Sequence, residues 1–304
     1  MGKLLVFGVG KLGGAVVDAL ALKFPNHEYV LVSRSYDAAL RRSNLTRYLG
    51  AQWGMDLRVV PDVVNLLNTE ATAELLDRHD PDILFNATTP FPWWRVQELP
   101  PDMASLADEA GPGTWAALDV LLPSALARAL AMSHNTAVHV NGCYPDMTNA
   151  YLAESMGAPS IGIGNIANMI PGLKLAFAAR DHVSSSDIEV RMIAHHNVSL
   201  NAPTNGTSNG VPFGLEITDR NAGTVEWFDE RTNYPFELLL SRARRVRGLE
   251  GQGVTINSAA ALLASLMNRT PAVHHSPGAL GLPGGYPVRI SDNGHLTLDL
   301  PPRL

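Results

Sequence analysis

Three closely spaced glycines follow the first apolar run of the chain. Residues 4–7 are Leu-Leu-Val-Phe, the glycines come directly after them, and apolar residues at helical spacing continue beyond. A buried strand that enters a helix through such a turn opens a dinucleotide-binding domain. The glycines allow a tight turn, a close approach of a pyrophosphate to the backbone, and close packing of the helix on the strand. The predicted phosphate site consists of Gly8, Gly10, Lys11, Leu12 and Gly13.

The first half of the chain alternates strand and helix patterns. Apolar runs predict strands at residues 29–32, 57–60, 82–87 and 136–141, and helical periodicity predicts helices at 68–76 and 114–131. The segment 91–113 is rich in proline and aromatic residues, which indicates a long irregular loop. Alternation of this kind predicts an α/β fold, a Rossmann-type doubly wound parallel sheet with helices on both faces.

The pattern changes after about residue 165. Short strands are expected at 188–193, 213–217 and 225–228, helices at 235–247 and 256–267, and a hairpin over 288–300. These elements predict a second α+β lobe on a largely antiparallel sheet. We therefore expect three parts: a dinucleotide-binding domain at 1–165, a substrate or catalytic domain at 166–255, and a C-terminal helix and hairpin at 256–304 that pack back against both.

The composition argues against several classes of protein. Of the 304 residues, 46% are apolar and 17% are charged, as in a well-packed globular protein. The net charge of −6 argues against a nucleic-acid partner, and the apolar windows are too short for a membrane span. A single cysteine, Cys143, and the lack of a secretion signal favour the cytoplasm. A homodimer or a larger homo-oligomer is expected from the frequency of such assemblies.

The residues after the second predicted strand indicate which nucleotide is preferred. An acidic side chain at this place pairs with the ribose 2′-hydroxyl of NAD, whereas arginine accommodates the 2′-phosphate of NADP. The chain has Ser33, Arg34 and Ser35 here, and no carboxylate before Asp37. A guanidinium between two hydroxyls suits a dianionic phosphate. We therefore expect NADP(H) rather than NAD(H), the alternative being that Arg34 is simply a surface residue.

Polar residues after the later strands supply more of the predicted site, because ligands bind beyond the carboxyl ends of parallel strands. The nicotinamide side is predicted to be lined by Asn86, Ala87, Thr88 and Thr89. After the fifth strand, Asn141 and Tyr144 could donate hydrogen bonds to a small-molecule substrate, or could only shape a turn. Trp93 and Trp94 could cover the substrate as an apolar lid, or could pin a loop to the core.

Two adjacent histidines end a strand of the predicted second lobe. His195 and His196 can act as a general acid near neutral pH, although a histidine pair on its own is more often structural. The sequence Pro-Thr-Asn-Gly-Thr at 203–207 predicts a loop whose backbone N–H groups and hydroxyls could hold a carboxylate. The strand end and this loop together form a candidate catalytic segment.

This segment resembles the signature of the dihydrodipicolinate reductases, His-His-x-x-Lys-x-Asp-Ala-Pro-Ser-Gly-Thr, and residues 1–210 resemble that family in the order of elements. The resemblance implies NADPH-dependent reduction of a small imine or carbonyl compound that carries a carboxylate. It implies that His195 or His196 donates the proton and that Gly206 and Thr207 hold the carboxylate.

The chain also departs from this signature. The family's lysine is replaced by Ser199 and its aspartate by Asn201, and Asn205 is an insertion. Protonation by lysine therefore cannot be carried over, and we expect Ser199 to relay the proton and Asn201 to contact the substrate. The chain is predicted to be a divergent relative, in the broad group that includes the saccharopine-dehydrogenase-like oxidoreductases.

Two other functions stay open at this point. A Rossmann domain that binds NADP without turning it over could act as a redox or metabolite sensor, and the lost lysine favours that alternative. A nucleotide-dependent isomerase with a tightly held cofactor is a weaker one. No metal site is expected, because His274 and His275 lack a carboxylate or cysteine at ligand spacing.

Overall fold

The computed structural model describes residues 2–91, 95, 98–110, 116–157, 159–246, 248 and 250–303. It divides the chain into two compact units, Met1–Pro159 and Ser160–Leu304. The predicted boundary at residue 165 lies shortly after the observed division. The structure places residues 166–255 and 256–304 together in the second unit, where the sequence predicts two separate parts.

The first unit is built on a parallel β-sheet. Its strands are β1 (Lys3–Phe7), β2 (Glu28–Ser33), β3 (Arg58–Val63), β4 (Ile83–Asn86) and β5 (Val138–Asn141). Its helices are α1 (Lys11–Lys23), α2 (Tyr36–Gln52), α3 (Thr69–His79), α4 (Pro101–Ala110), α5 (Ala116–Met132) and α6 (Pro145–Ser155). The strands lie in the order β3-β2-β1-β4-β5, and neighbours run parallel. This order confirms the predicted Rossmann-type sheet and creates a ligand crevice where it reverses, between β1 and β4.

Apolar strands and capped helices explain this arrangement. Inner residues of β1, β2 and β4 are fully buried and pack with α3 and α5 in one hydrophobic cluster. Short polar side chains begin the helices between them. Ser35 Oγ accepts a hydrogen bond from Ala38 N at 3.3 Å at the start of α2, and Asn68 Oδ1 accepts one from Ala71 N at 3.0 Å at the start of α3.

The segment 91–113 differs from its prediction, because α4 forms within the expected loop. Pro101 stands at the first helical position, where its missing N–H has no helical partner. Residues 102–110 contain no further proline or glycine, so nothing in them opposes a helix. The predicted helix start at 114 lies outside the residues that the structure describes.

His139 is buried within β5, and its Nε2 atom has no hydrogen-bond partner among the described residues. Burial lowers its pKa from 6.5 to about 4. As the pH falls below 6.5, His139 becomes protonated in the unfolded chain, whereas in the folded chain it stays neutral down to about pH 4. Protonation therefore favours the unfolded state, and the free energy of unfolding falls between pH 6.5 and about pH 4. We expect the unfolding free energy of the wild type to fall by about 2 kcal/mol more than that of His139→Leu between about pH 7 and pH 5. Denaturant titrations across this range would measure it, and parallel pH profiles would contradict it.

The second unit is built on an antiparallel sheet. After the short β6 (Ile161–Gly162), its strands are β7 (Ile188–Ala194), β8 (Phe213–Asp219), β9 (Thr224–Asp229), β10 (Ala272–Pro277), β11 (Gly285–Ile290) and β12 (Leu296–Leu298). Its helices are α7 (Ile170–Asp181), α8 (His196–Asn205), α9 (Tyr234–Arg242) and α10 (Gly253–Met267). Five strands lie in the order β10-β11-β7-β8-β9, with β12 on β11, which confirms the predicted second lobe.

Burial alternates along β7, as expected for a sheet with one face on a core. The buried residues of β7 and β8 pack with α7, α8 and α9 in one hydrophobic cluster. The opposite face carries charge, and Arg191 donates to Asp299 Oδ2 at 2.7 Å. No helix in the described part of the chain is long and apolar enough to cross a membrane.

Three local predictions in this unit are wrong. The expected loop at 203–207 belongs largely to α8, because side chains such as Asn201 donate back to helical carbonyls and Gly206 ends the helix with φ +68°. The proline- and glycine-rich sequence around His274 and His275 predicts a loop, but both histidines lie in β10. The helix expected at 235–247 ends at Arg242.

Candidate functional site

The glycine turn is the most tightly constrained part of the first unit. Gly8 has φ +96°, and its N–H donates to Val32 O at 3.1 Å. A Cβ on Gly8 would lie 2.7 Å from Ala87 C and O, and one on Gly13 would lie 2.1 Å from Gly8 O. The turn therefore presses β1, α1 and the segment after β4 together, as the sequence predicts.

Gly10 differs from Gly8 and Gly13 because the space at its Cβ position is open. A Cβ built on Gly10 would meet no atom of the described residues within 4 Å. Gly10 caps α1 without a side-chain hydrogen bond, no acidic residue stands in the first turn, and the Lys11 side chain is exposed. The first N–H groups of a helix have no helical partners, so those of Lys11, Leu12 and Gly13 face outward. Open space beside unpaired donors fits the pyrophosphate of a dinucleotide.

The segment after β2 leaves one arginine unpaired. Arg41 pairs with Asp37 at 2.9 Å and Arg42 pairs with Asp18 at 2.5 Å, so both already have a carboxylate partner. Arg34 is exposed and has no hydrogen bond or ion pair with any described residue. Ser35 N donates to Ser33 Oγ at 3.4 Å, and Ser35 Oγ caps α2. Of the predicted Ser33-Arg34-Ser35 triplet, Ser35 thus caps α2 and the Arg34 guanidinium is left exposed.

Asn86 and Asn141 end neighbouring strands and are fully buried. Asn86 Nδ2 donates to Asn141 Oδ1 at 3.2 Å, and Asn86 Oδ1 accepts from Thr88 N at 3.1 Å. Asn141 Nδ2 donates to Cys143 O at 3.0 Å and to Asn149 Oδ1 at 2.9 Å, and its Oδ1 also accepts from Cys143 N. Both donors and both acceptor sites of Asn141 are thus used within the protein, and its role in binding substrate stays a prediction.

The residues after Asn86 form the wall of the crevice beside the glycine turn. Ala87 N donates to Phe7 O at 2.8 Å, and Thr88 is partly exposed beside Gly8. Thr89 Oγ1 donates to Phe91 O at 2.8 Å and holds the start of the following segment. Trp93 and Trp94, predicted as a lid, lie outside the described residues.

Tyr144 and Cys143 follow β5 in an unusual local environment. Tyr144 has φ +39°, which is uncommon for a residue with a Cβ, and caps α6. Burial and the carboxyl of Asp119 raise the pKa of its phenol. Cys143 Sγ donates to Asp119 O at 3.3 Å, and burial raises the pKa of the thiol, so Cys143 behaves as a buried group and not as a nucleophile.

His195 and His196 stand between β7 and α8. His195 is exposed and caps α8, its Nδ1 accepting a hydrogen bond from Asn197 N at 3.2 Å. An accepting Nδ1 carries no proton, so the ring proton lies on Nε2 and faces solvent. Ser199 Oγ donates to His196 O at 2.7 Å, within its own helix turn. The hydroxyl proton of Ser199 is used in this bond, and the relay through Ser199 stays a prediction.

The residues of the predicted carboxylate site, Gly206 and Thr207, already have partners within the second unit, and their role in binding substrate stays a prediction. Gly206 is buried, and a Cβ on it would lie 3.0 Å from Leu240 Cδ1. Thr207 Oγ1 donates to Asn233 Oδ1 at 3.1 Å and accepts from Asn209 N. Asn201, predicted to contact substrate, donates to Asn197 O. These residues therefore stabilise α8 and its C-terminal end. A helix end uses the same small and polar residues as an anion-binding loop, so the sequence alone does not distinguish the two.

The second unit has a small pocket that the sequence did not indicate. Arg245 donates to Val246 O at 3.2 Å, whereas Arg244 is exposed and unpaired among the described residues. The unpaired guanidinium of Arg244, next to the apolar lining of this pocket, suits a carboxylate better than Gly206 and Thr207 at the end of α8 do. The pocket is lined by Asn168, Met169, Gly172, Pro203, Leu239, Leu240, Ala243, Arg244 and Arg245.

Comparison with solved structures identifies the fold. No protein-family model and no curated protein matches the sequence. The chain is similar to malate dehydrogenase from Picrophilus torridus (TM-score 0.63, 15% identity, covering 99% of this chain and 90% of that one). It is similar to malate dehydrogenase from Plasmodium falciparum in complex with NADH (0.61, 11%, 99% and 91%). It is also similar to lactate dehydrogenase from Eimeria maxima with NADH and oxamate (0.60, 15%, 99% and 89%).

These likenesses leave the resemblance to the dihydrodipicolinate reductases untested, so that resemblance stays a prediction. At 11% to 15% identity they concern architecture, and the parallel sheet followed by an antiparallel one is the common element. The chain has the fold of the malate and lactate dehydrogenases.

Proposed function

We propose that the chain is an NAD(P)-dependent oxidoreductase of small carbonyl or imine compounds that carry a carboxylate, and that it prefers NADPH to NADH. The observation that carries the proposal is the glycine turn, with open space at Gly10 beside unpaired donors at the start of α1. The shared fold supports it, because similar structures hold NADH. A homo-oligomer and a cytoplasmic location stay predictions.

The first unit has a group suited to each part of the dinucleotide. The N–H groups at the start of α1 would bind the pyrophosphate, and the Lys11 side chain adds positive charge there. Arg34 would bind the 2′-phosphate. Ala87 and Thr88, which lie against Gly8, would line the nicotinamide side. The bound cofactor supplies the hydride or accepts it.

The second unit supplies the candidate proton donor. His195 presents a protonated Nε2 to solvent, held in this tautomer by the bond from Asn197 N to Nδ1. In this neutral form it would donate a hydrogen bond to the substrate oxygen or nitrogen. It would transfer a proton during reduction only as the imidazolium, in which Nδ1 is also protonated and the bond from Asn197 N is given up; His196 is the neighbouring candidate. The Arg244 guanidinium is the group we assign to the substrate carboxylate.

Arg34→Ala should weaken NADPH binding about tenfold and leave NADH binding within about twofold of the wild type. The reason is that only NADPH carries the 2′-phosphate with which an unpaired guanidinium can pair. Fluorescence titration with each nucleotide measures both Kd values. The matched control is Arg41→Ala, an exposed arginine that is already paired with Asp37. Equal weakening of both nucleotides, or of neither, would argue against this role of Arg34.

A sensor that binds NADP without turnover is the second candidate. The observation that favours it is that Ser199, Asn201 and Thr207 all bond within their own unit and leave the histidines without the predicted helpers. One experiment separates the two functions: purified protein is mixed with NADPH and a panel of small 2-keto acids and cyclic imines, and cofactor absorbance is followed. Loss of absorbance with one of them supports the oxidoreductase, and tight binding without any loss supports the sensor.

A further inference from the structure

Three buried asparagines form a continuous chain of hydrogen bonds in the first unit. Asn86, Asn141 and Asn149 come from β4, β5 and α6, and all three are completely buried. Asn86 donates to Asn141 at 3.2 Å, and Asn141 donates to Asn149 at 2.9 Å. This series of hydrogen bonds therefore joins α6 to the ends of β4 and β5.

The hydrogen bonds of this chain all run in one direction. Thr88 donates to Asn86 Oδ1 twice, through its N–H at 3.1 Å and its hydroxyl at 2.6 Å. Each amide then donates its N–H to the carbonyl oxygen of the next, and Asn149 Oδ1 is the last acceptor along this path. Asn141 is also held by the backbone of Cys143, to whose O it donates at 3.0 Å and from whose N it accepts at 3.1 Å. Asn149 Oδ1 is the partner of its other N–H, so α6 completes the set of bonds that orients Asn141 towards Asn86.

The Thr88 end of this series of hydrogen bonds lies at the predicted cofactor site. A Cβ on Gly8 would approach Thr88 N to 2.9 Å, so Thr88 lies directly against the glycine turn. A buried amide that loses its partner pays the full cost of desolvation, so breaking one link disturbs the next. An apolar contact could hold α6 to the sheet, but it could not fix the direction of the Thr88 hydroxyl.

We infer that Asn149 is a positioning residue for the cofactor. Together with the backbone of Cys143 it holds Asn141, Asn141 accepts from Asn86, and Asn86 holds Thr88 at the wall where the nicotinamide half would lie. Asn149 is fully buried and would act only through Asn141. The inference rests on the proposed function, and it adds that one residue of α6 controls binding of only one half of the dinucleotide.

The test compares a whole cofactor with its adenosine half. Asn149→Leu removes the last acceptor at similar volume, and the purified full chain is titrated with NADPH and with 2′,5′-ADP. The account predicts that the Kd for NADPH rises about tenfold, the effect of roughly one lost hydrogen bond, and that the Kd for 2′,5′-ADP changes less than about twofold. A purely structural residue would weaken both ligands alike.

A matched control lies at the other end of the same two strands, just before β4 and β5 begin. Asn135 also joins the β4 and β5 segments, donating to Pro81 O at 3.0 Å and accepting from Ala137 N at 3.0 Å. Asn135→Leu should lower thermal stability and leave the ratio of the two Kd values unchanged. If Asn149→Leu does not fold, Asn149→Ala removes the same acceptor with a smaller side chain and should give the same selective loss.

The outcomes separate this inference from the proposed function. Selective loss of NADPH binding in Asn149→Leu or Asn149→Ala supports the inference. Unchanged binding, or an equal loss for both ligands, overturns it while the proposed function stands. A wild-type protein that binds neither ligand overturns both.

Discussion

Replacing both His195 and His196 with asparagine is expected to lower kcat by about 10²–10⁴-fold, the usual effect of losing a proton-transfer group. The Kd for NADPH should not change, because the predicted cofactor site lies in the other unit. Asparagine is suited to the first position because it caps helices well and so preserves the start of α8. The measurement is the rate of NADPH oxidation with whichever keto acid or imine the wild type reduces.

The matched control for this variant is His182→Asn. His182 is exposed, lies in the same unit and ends α7 with φ +58°, a conformation that asparagine tolerates. It should keep wild-type kcat. Full activity in the double variant would remove both histidines from the mechanism, whereas equal losses in the double variant and the control would indicate a general effect on folding.

Gly10→Ala is expected to weaken NADPH binding about 100-fold and to leave the unfolding midpoint unchanged. Gly10 has φ −69°, which any residue adopts, and its Cβ position is open, so alanine costs the folded chain little. The added methyl group instead occupies the space through which a pyrophosphate must approach the N–H groups of α1. Thermal unfolding and a fluorescence titration, run on the same preparation, measure the two quantities.

Gly253→Ala provides the same change at a second open position, at the start of α10. It should alter neither the midpoint nor the NADPH affinity. If Gly10→Ala binds NADPH as the wild type does, the space beside Gly10 is not the pyrophosphate site. If it unfolds, the turn has a structural role that its open geometry does not show.

The sequence predicted best where a local steric requirement decides the structure. Gly8 and Gly13 each stand where a Cβ would collide with backbone, so their spacing alone indicates the turn, the strand before it and the helix after it. The alternation of buried and polar residues in β7 likewise indicates a sheet with one face on a core.

The sequence predicted least where a side chain has two possible partners. Gly206 and Thr207 suit an anion loop and a helix stop equally, and only the contact with Asn233 decides between them. Asn141 looks like a ligand-binding residue until its bond to Asn149 is seen, a bond that requires the exact packing of α6 on β5. Neither contact leaves a periodic signal in the sequence.

The central claim is that the glycine turn binds a nicotinamide dinucleotide, and its most direct test is a paired titration. Purified protein is titrated with NADPH and with NADH while nicotinamide fluorescence is followed. The account predicts saturable binding of NADPH, with NADH about tenfold weaker or more. Failure of both nucleotides to bind would contradict the claim.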